Sequence, residues 1–153
     1  MQVTITRESP MSEDAVALVG ELEDYLDPLY PKWNQFGLSP DQLIEEQVAF
    51  FITRVDGEPA GCGGVKFYPG FGELKRMYVR PRFRGTGLGK RMLEHLEAFA
   101  RQRGETLLRL ETGIYQPEAI GLYERMGFRP IPPFEPYDGS TATLSRFYEK
   151  RLK

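Results

Sequence analysis

The sequence predicts a mixed α/β (α+β) fold in a single domain covering residues 1–153. Strand-like and helix-like segments alternate from one end to the other. No repeat, low-complexity tract or long linker interrupts them. A chain of 153 residues with 41% hydrophobic content is long enough to bury one core without disulfides or metal.

The elements follow from local pattern. Val3, Ile5 and Arg7 alternate with Thr4 and Thr6, an opening strand. Ser9-Pro10 reads as an N-cap with proline in the first helical position. Ala15, Val16, Leu18, Val19, Leu22, Tyr25 and Leu26 then recur at helical spacing until Pro28 stops the helix. Ser39-Pro40 with Gln42 predicts a short helix opened by a capping box. Residues 47–55 form a buried strand, Asp56-Gly57 a hairpin turn, and residues 59–68 the return strand. After the turn Pro69-Gly70-Phe71-Gly72, a strand runs from Glu73 to Val79 and ends at Pro81. Leu88, Met92, Leu93, Leu96, Phe99 and Ala100 line one face of a helix over about 87–103, with Gly104 as its stop. Thr106–Thr112 is the next strand, and Pro117 opens a helix that ends at Met126-Gly127. A strand over 128–131, a proline-rich loop and a last strand near 142–150 complete the order β-α-α-β-β-β-α-β-α-β-β.

Composition narrows the function classes. Lys+Arg total 20 and Asp+Glu 22, a net charge of −2, which argues against a general nucleic-acid or membrane-surface binder. The longest apolar run, Val48–Ile52, is far shorter than the roughly 20 residues that span a bilayer. The N-terminus lacks an apolar signal-type stretch and Cys62 stands alone, so the cytoplasm is the expected compartment. One cysteine and one histidine make no zinc site, and no metal is expected.

The informative segment is Glu73–Arg91: a strand, a glycine-rich turn, then an amphipathic helix. Free amides and the helix dipole favour an anion at such a helix start. From Lys75 to Arg91 there are seven basic residues and no acidic one, which suits a phosphate. The P-loop pattern fails, because Arg84 stands where its first glycine belongs and Arg91 where its Ser or Thr does. The dinucleotide pattern fails at Lys90, where a third glycine is required.

What fits is Arg84-x-x-Gly87-x-Gly89, and with it the chain resembles the GCN5-related N-acetyltransferase (GNAT) family. Residues 117–128, with Ala119, Leu122-Tyr123 and Gly127-Phe128 in register, resemble a second signature of that family. The resemblance covers roughly residues 47–130. It implies a central mixed, mostly antiparallel sheet flanked by helices, with a splayed parallel strand pair at the cofactor site. It also implies acetyl-coenzyme A as the acyl donor.

Carried over residue by residue, the resemblance puts Met77, Tyr78 and Val79 against the pantetheine arm. Arg84, Gly85, Thr86, Gly87, Leu88, Gly89 and Lys90 would cradle the pyrophosphate, chiefly through amides. Gln116 stands where many members have Asn, so its contact with the arm is the one departure. Tyr123 takes the general acid's place, protonating the departing thiolate. Glu73 ranks first and Glu111 second as general base. By period-two alternation Glu73 shares a face with Lys75, Met77 and Val79. Cys62 and His95 carry no catalytic expectation.

The acceptor side would be built by the first helices and the last inter-strand loop. These supply Tyr25, Tyr30, Trp33 and Phe36, then Pro132, Pro133, Phe134, Glu135, Pro136, Tyr137 and Asp138, with Tyr137 and Glu135 as the substrate-binding choices. Aromatics with a few carboxylates suit a small amine bearing an apolar part. The expected activity is N-acetylation of a small-molecule amine by direct attack on the thioester, with no nucleic-acid or membrane partner. The rivals are a non-catalytic acetyl-coenzyme A sensor, a protein acetylase and an unrelated nucleotide-phosphate binder. Members of the family are often homodimers, and no segment here forces one.

Overall fold

The computed structural model describes all of residues 1–153. Its elements fall in the expected order. They are β1 (Val3–Arg7), α1 (Glu13–Leu26), α2 (Pro40–Glu45), β2 (Ala49–Val55), β3 (Glu58–Tyr68), β4 (Phe71–Val79), α3 (Leu88–Gln102), β5 (Leu107–Gly113), α4 (Pro117–Arg125), β6 (Arg129–Ile131) and β7 (Ser145–Arg151). Short single-turn helices cover Asp27–Leu29, Lys32–Asn34 and Pro81–Phe83.

The seven strands form one sheet in the order β1-β2-β3-β4-β5-β7-β6. Every pairing is antiparallel except β4 with β5, which is parallel. Two apolar layers sandwich this sheet. On one face α1 and α2 bury Leu18, Leu22 and Leu43 against Phe50, Ile52, Cys62 and Tyr78. On the other, α3 and α4 bury Met92, Leu93, Leu96 and Tyr123 against Phe51, Val65, Leu74, Leu108 and Leu110. β2 feeds both layers with successive residues, which is why it reads as an unbroken apolar run.

Local chemistry sets the boundaries. The Ser39 hydroxyl accepts from the Gln42 amide and the Gln42 side chain accepts from the Ser39 amide, the expected capping box. Asp56 and Gly57 both have positive φ, 49° and 85°, as a two-residue hairpin turn requires. The expected cap of α1 is displaced. Ser9 makes a preceding turn, in which its hydroxyl accepts from the Met11 amide, and Ser12 caps the helix by accepting from the Ala15 amide.

The expected alternation along β4 also fails beyond Lys75. Arg76 adopts a left-handed φ of 53°, and the β3–β4 register slips between Cys62 and Gly64, a bulge. Glu73 and Lys75 do share a face, the one toward α1. Arg76 joins them there, meeting Glu23 of α1. Met77 is thrown to the α3 side, packing on the core that contains Met92, and Val79 packs beside Leu88.

Candidate active site

The site lies where β4 and β5 part. They pair only at Gly72–Leu108 and Glu73–Arg109. Beyond that, β4 hydrogen-bonds to β3 alone and β5 to β7 alone. A wedge-shaped opening follows, the splayed parallel pair that the sequence led us to expect, and it divides into two connected cavities. Met77, Gln116, Tyr123 and Leu22 line both of them.

The larger cavity, about 500 Å³, runs along the glycine turn. Met77, Tyr78, Val79, Arg84, Gly85, Gly87, Leu88, Gly89, Lys90 and Gln116 line it, together with Tyr25, Ala119, Leu122 and Arg125. The amides from Gly85 to Lys90 donate to no acceptor within the chain, so a row of N–H groups faces outward at the start of α3. Gly85 and Gly87 hold φ values of 80° and 83°, left-handed backbone that side chains resist. At both, a Cβ would meet open space, so backbone conformation alone demands glycine there. Gly89 has a different reason: a Cβ would lie 2.8 Å from Leu122 Cδ2, so glycine lets α3 approach α4. This donor row and the open edge of β4 fit a pyrophosphate carried on a pantetheine arm.

Several side chains of this stretch are engaged within the chain. Thr86 is exposed and its hydroxyl donates to the Phe83 carbonyl at 2.6 Å, turned from the groove. Arg84 folds back so that its Nε donates to the Val79 carbonyl at 3.0 Å. Gln116 Oε1 accepts from the Gly113 amide at 3.2 Å and from the Tyr30 hydroxyl at 3.3 Å. It therefore ties the start of α4 to the segment after α1. Tyr25, expected on the acceptor side, lines the larger cavity instead, with the Arg84 guanidinium 5.8 Å from its ring.

The smaller cavity, about 110 Å³, lies on the α1 side of the sheet. Glu73, Lys75 and Arg76 from β4 line it, with Glu111 from β5, Tyr123 from α4 and Tyr137 from the last loop. Glu73 is 1% exposed. Its Oε2 accepts a hydrogen bond from the Tyr137 hydroxyl and faces Lys75 Nζ at 3.1 Å. Its Oε1 is buried without a partner. Glu111 Oε2 accepts from the Ser145 hydroxyl at 2.6 Å, and Asn34 Nδ2 donates to that hydroxyl at 2.9 Å. Burial pushes the Glu111 carboxyl up to about 7, and the nearby Glu73 charge adds to the rise. Tyr123 is 6% exposed, its ring edge against Phe128. Burial and the Glu111 charge hold its hydroxyl protonated well above the usual tyrosine range.

The loop between β6 and β7 delivers one of its two substrate-binding choices to the cavity. Phe134 and Tyr137 turn inward onto Phe147, which leaves Glu135 exposed and outside both cavities. Tyr30 and Phe36 line the smaller cavity, whereas Trp33 is 55% exposed and does not. Sequence reasoning missed Asn34, Arg76 and Arg125 as lining residues. Arg76 alone carried a signal, as part of the basic run.

Residues 13–128 match the profile of the acetyltransferase (GNAT) family. The chain belongs to this family, and it is an acetyl-coenzyme A-dependent N-acetyltransferase. An IAA acetyltransferase of Azospirillum brasilense is 42% identical over 152 residues, 98% of either chain. An N-acetyltransferase of Bacillus subtilis without an assigned role is 32% identical, over 80% of this chain and 83% of that one. A crystal structure from Klebsiella pneumoniae, described as a candidate acyl-CoA N-acyltransferase, shares 39% identity and a TM-score of 0.83 over 99% of each chain. PaiA N-acetyltransferase from Thermoplasma acidophilum, solved with coenzyme A, shares the fold at 19% identity and a TM-score of 0.78, again over 99% of each.

Proposed function

We propose that the acceptor is a small-molecule amine held in the cavity beside Glu111, and that acetyl transfer is a direct attack on the thioester. The observation that carries this reading is the junction of the two cavities at Tyr123, Met77 and Gln116. A donor on the glycine-turn side thereby meets an acceptor on the carboxylate side. The coenzyme, when bound, supplies the acetyl thioester.

Glu111 is the general base. Its raised ionisation places it near neutral pH, where a base both exists as carboxylate and retains proton affinity. It takes the proton that the amine loses as the N–C bond forms. The C–S bond breaks, and the Tyr123 hydroxyl, kept protonated by burial, gives its proton to the departing thiolate. Glu73, ranked first from sequence, becomes a positioning residue. Its buried carboxylate holds Tyr137 and Lys75 on the opposite wall. A cavity of about 110 Å³, ringed by Tyr30, Phe36 and Tyr137, favours a small acceptor over a protein segment. The amide row of Gly85–Lys90 binds the pyrophosphate, and proximity contributes more to the rate than either acid or base alone.

Titration calorimetry with acetyl-coenzyme A tests the donor half, comparing wild type with Gly87→Trp. The variant should lose binding, and ATP should not compete. Thiol release across small amines and peptide amines tests the acceptor half. Turnover of small amines is expected, and turnover confined to peptides would overturn the small-molecule reading.

A further inference from the structure

Arg76 is a guanidinium with too few partners. It lines the acceptor cavity and is 8% exposed. Of its five N–H donors, one is used: Nη2 donates to Glu23 Oε2 at 2.7 Å. Its Nε is buried with no acceptor. The side chain lies so close over Gly37 that any Cβ there would strike its Nη1, so the lack of a side chain on the far wall leaves room for the guanidinium. The bulge at φ 53° turns Lys75 and Arg76 to the same face. Lys75 is already matched by Glu73 at 3.1 Å. Arg76 is matched only by Glu23, whose side chain is 46% exposed.

The cavity is therefore polarised. The β5 wall offers Glu111, suited to an ammonium that must give up protons. The β4 wall offers a buried planar fork whose geometry matches a carboxylate. From this we infer that the acceptor carries a carboxylate close to its amine, as an α-amino acid does, and that Arg76 binds that carboxylate. The inference rests on the proposed acceptor cavity and narrows its substrate class. Docked this way, the substrate engages the free Nη donors of Arg76 and presents its nitrogen toward Glu111. The products are an N-acetylamino acid and the coenzyme thiol.

The test uses matched probes: leucine and isoamylamine, phenylalanine and phenethylamine, methionine and 3-(methylthio)propylamine. Each pair differs by the carboxylate, and rates are compared per unprotonated amine, because the carboxylate also lowers the pKa of the neighbouring ammonium. Thiol release is measured for wild type, Arg76→Gln and Arg76→Lys, with acetyl-coenzyme A binding followed in parallel. In wild type, kcat/KM for an amino acid should exceed that of its partner amine by about tenfold or more, since a site built for a charged group is left unsatisfied without it. Arg76→Gln should bring that ratio to within about twofold of one, chiefly through KM, and Arg76→Lys should restore part of it. Glu23→Gln, at an exposed position on α1, should raise the ratio by freeing the guanidinium. Preference for the decarboxylated amine in wild type, turnover of no amino acid, or a ratio that survives Arg76→Gln each overturns the inference. If the amines alone are acetylated, the inference falls and the small-amine reading stands. If coenzyme binds and no probe releases thiol, both fall.

Discussion

Replacing Glu111 with glutamine sets catalysis against stability. The folded state holds the Glu111 proton up to about pH 7, because burial raises the carboxyl from 4.5. The unfolded chain releases it near the ordinary carboxylate value of about 4.3. Between these values the folded state binds more protons, so this group's contribution to stability declines as pH rises from about 4.5 to about 7. Above pH 7 the wild type carries a half-buried, incompletely matched carboxylate. Glutamine has no proton to lose, and its amide oxygen can still accept from the Ser145 hydroxyl. At about 1.4 kcal/mol per pH unit, the shift to about 7 is worth about 3 kcal/mol. The variant's advantage should be under about 1 kcal/mol at pH 5 and approach about 3 kcal/mol at pH 8. Urea unfolding at the two pH values measures it. With an m-value of about 2 kcal/mol/M, the midpoint gap should widen by roughly 1 M or more. At pH 8 the same variant should lose about 10²-fold or more in kcat/KM. A gap that does not change with pH, or a variant less stable than wild type at pH 8, would refute the reasoning.

Other substitutions probe the remaining parts. Wild-type kcat/KM should rise with pH through about 7 as Glu111 ionises, and that limb should vanish in Glu111→Gln. Tyr123→Phe should cost about 10- to 100-fold in kcat with coenzyme affinity unchanged, because a thiolate with a pKa near 8.5 needs only moderate help to leave. Gly87→Val should weaken acetyl-coenzyme A binding at least tenfold in calorimetry, since valine at φ 83° must rebuild the turn. Cys62, whose thiol burial pushes up to about 12, should resist a disulfide reagent at pH 8 in the native protein and react at once in urea.

The readability of the sequence divided by mechanism. Elements set by local rules were legible: the Ser39–Gln42 box, the Asp56-Gly57 turn, and the helix face Met92-Leu93-Leu96. The groove was legible too, because left-handed turns call for glycine at Gly85 and Gly87. The Arg76 bulge was not, since arginine gives no local sign that it will take φ 53°. The strand is bent there by its pairing with β3, and pairing is not written in β4 alone. The cap of α1 was expected at Ser9, before the proline, and the fold instead uses Ser12, whose hydroxyl also donates to Glu8 at 2.6 Å. Glu135 looked as eligible as Tyr137 because the way a loop turns each side chain depends on what it lands on. Here that is the aromatic cluster of Phe71, Phe134 and Phe147.

The parting of β4 and β5 makes the sheet two plates, β1–β4 and β5-β7-β6, stitched by two residue pairs. A ligand whose amides bond along the open edge of β4 acts as a temporary eighth strand. Occupancy and rigidity are then one equilibrium: cargo knits the plates, and its departure loosens them by the free energy of binding. Slow amide exchange along Leu74–Val79 should therefore appear when donor is present and fade when it leaves.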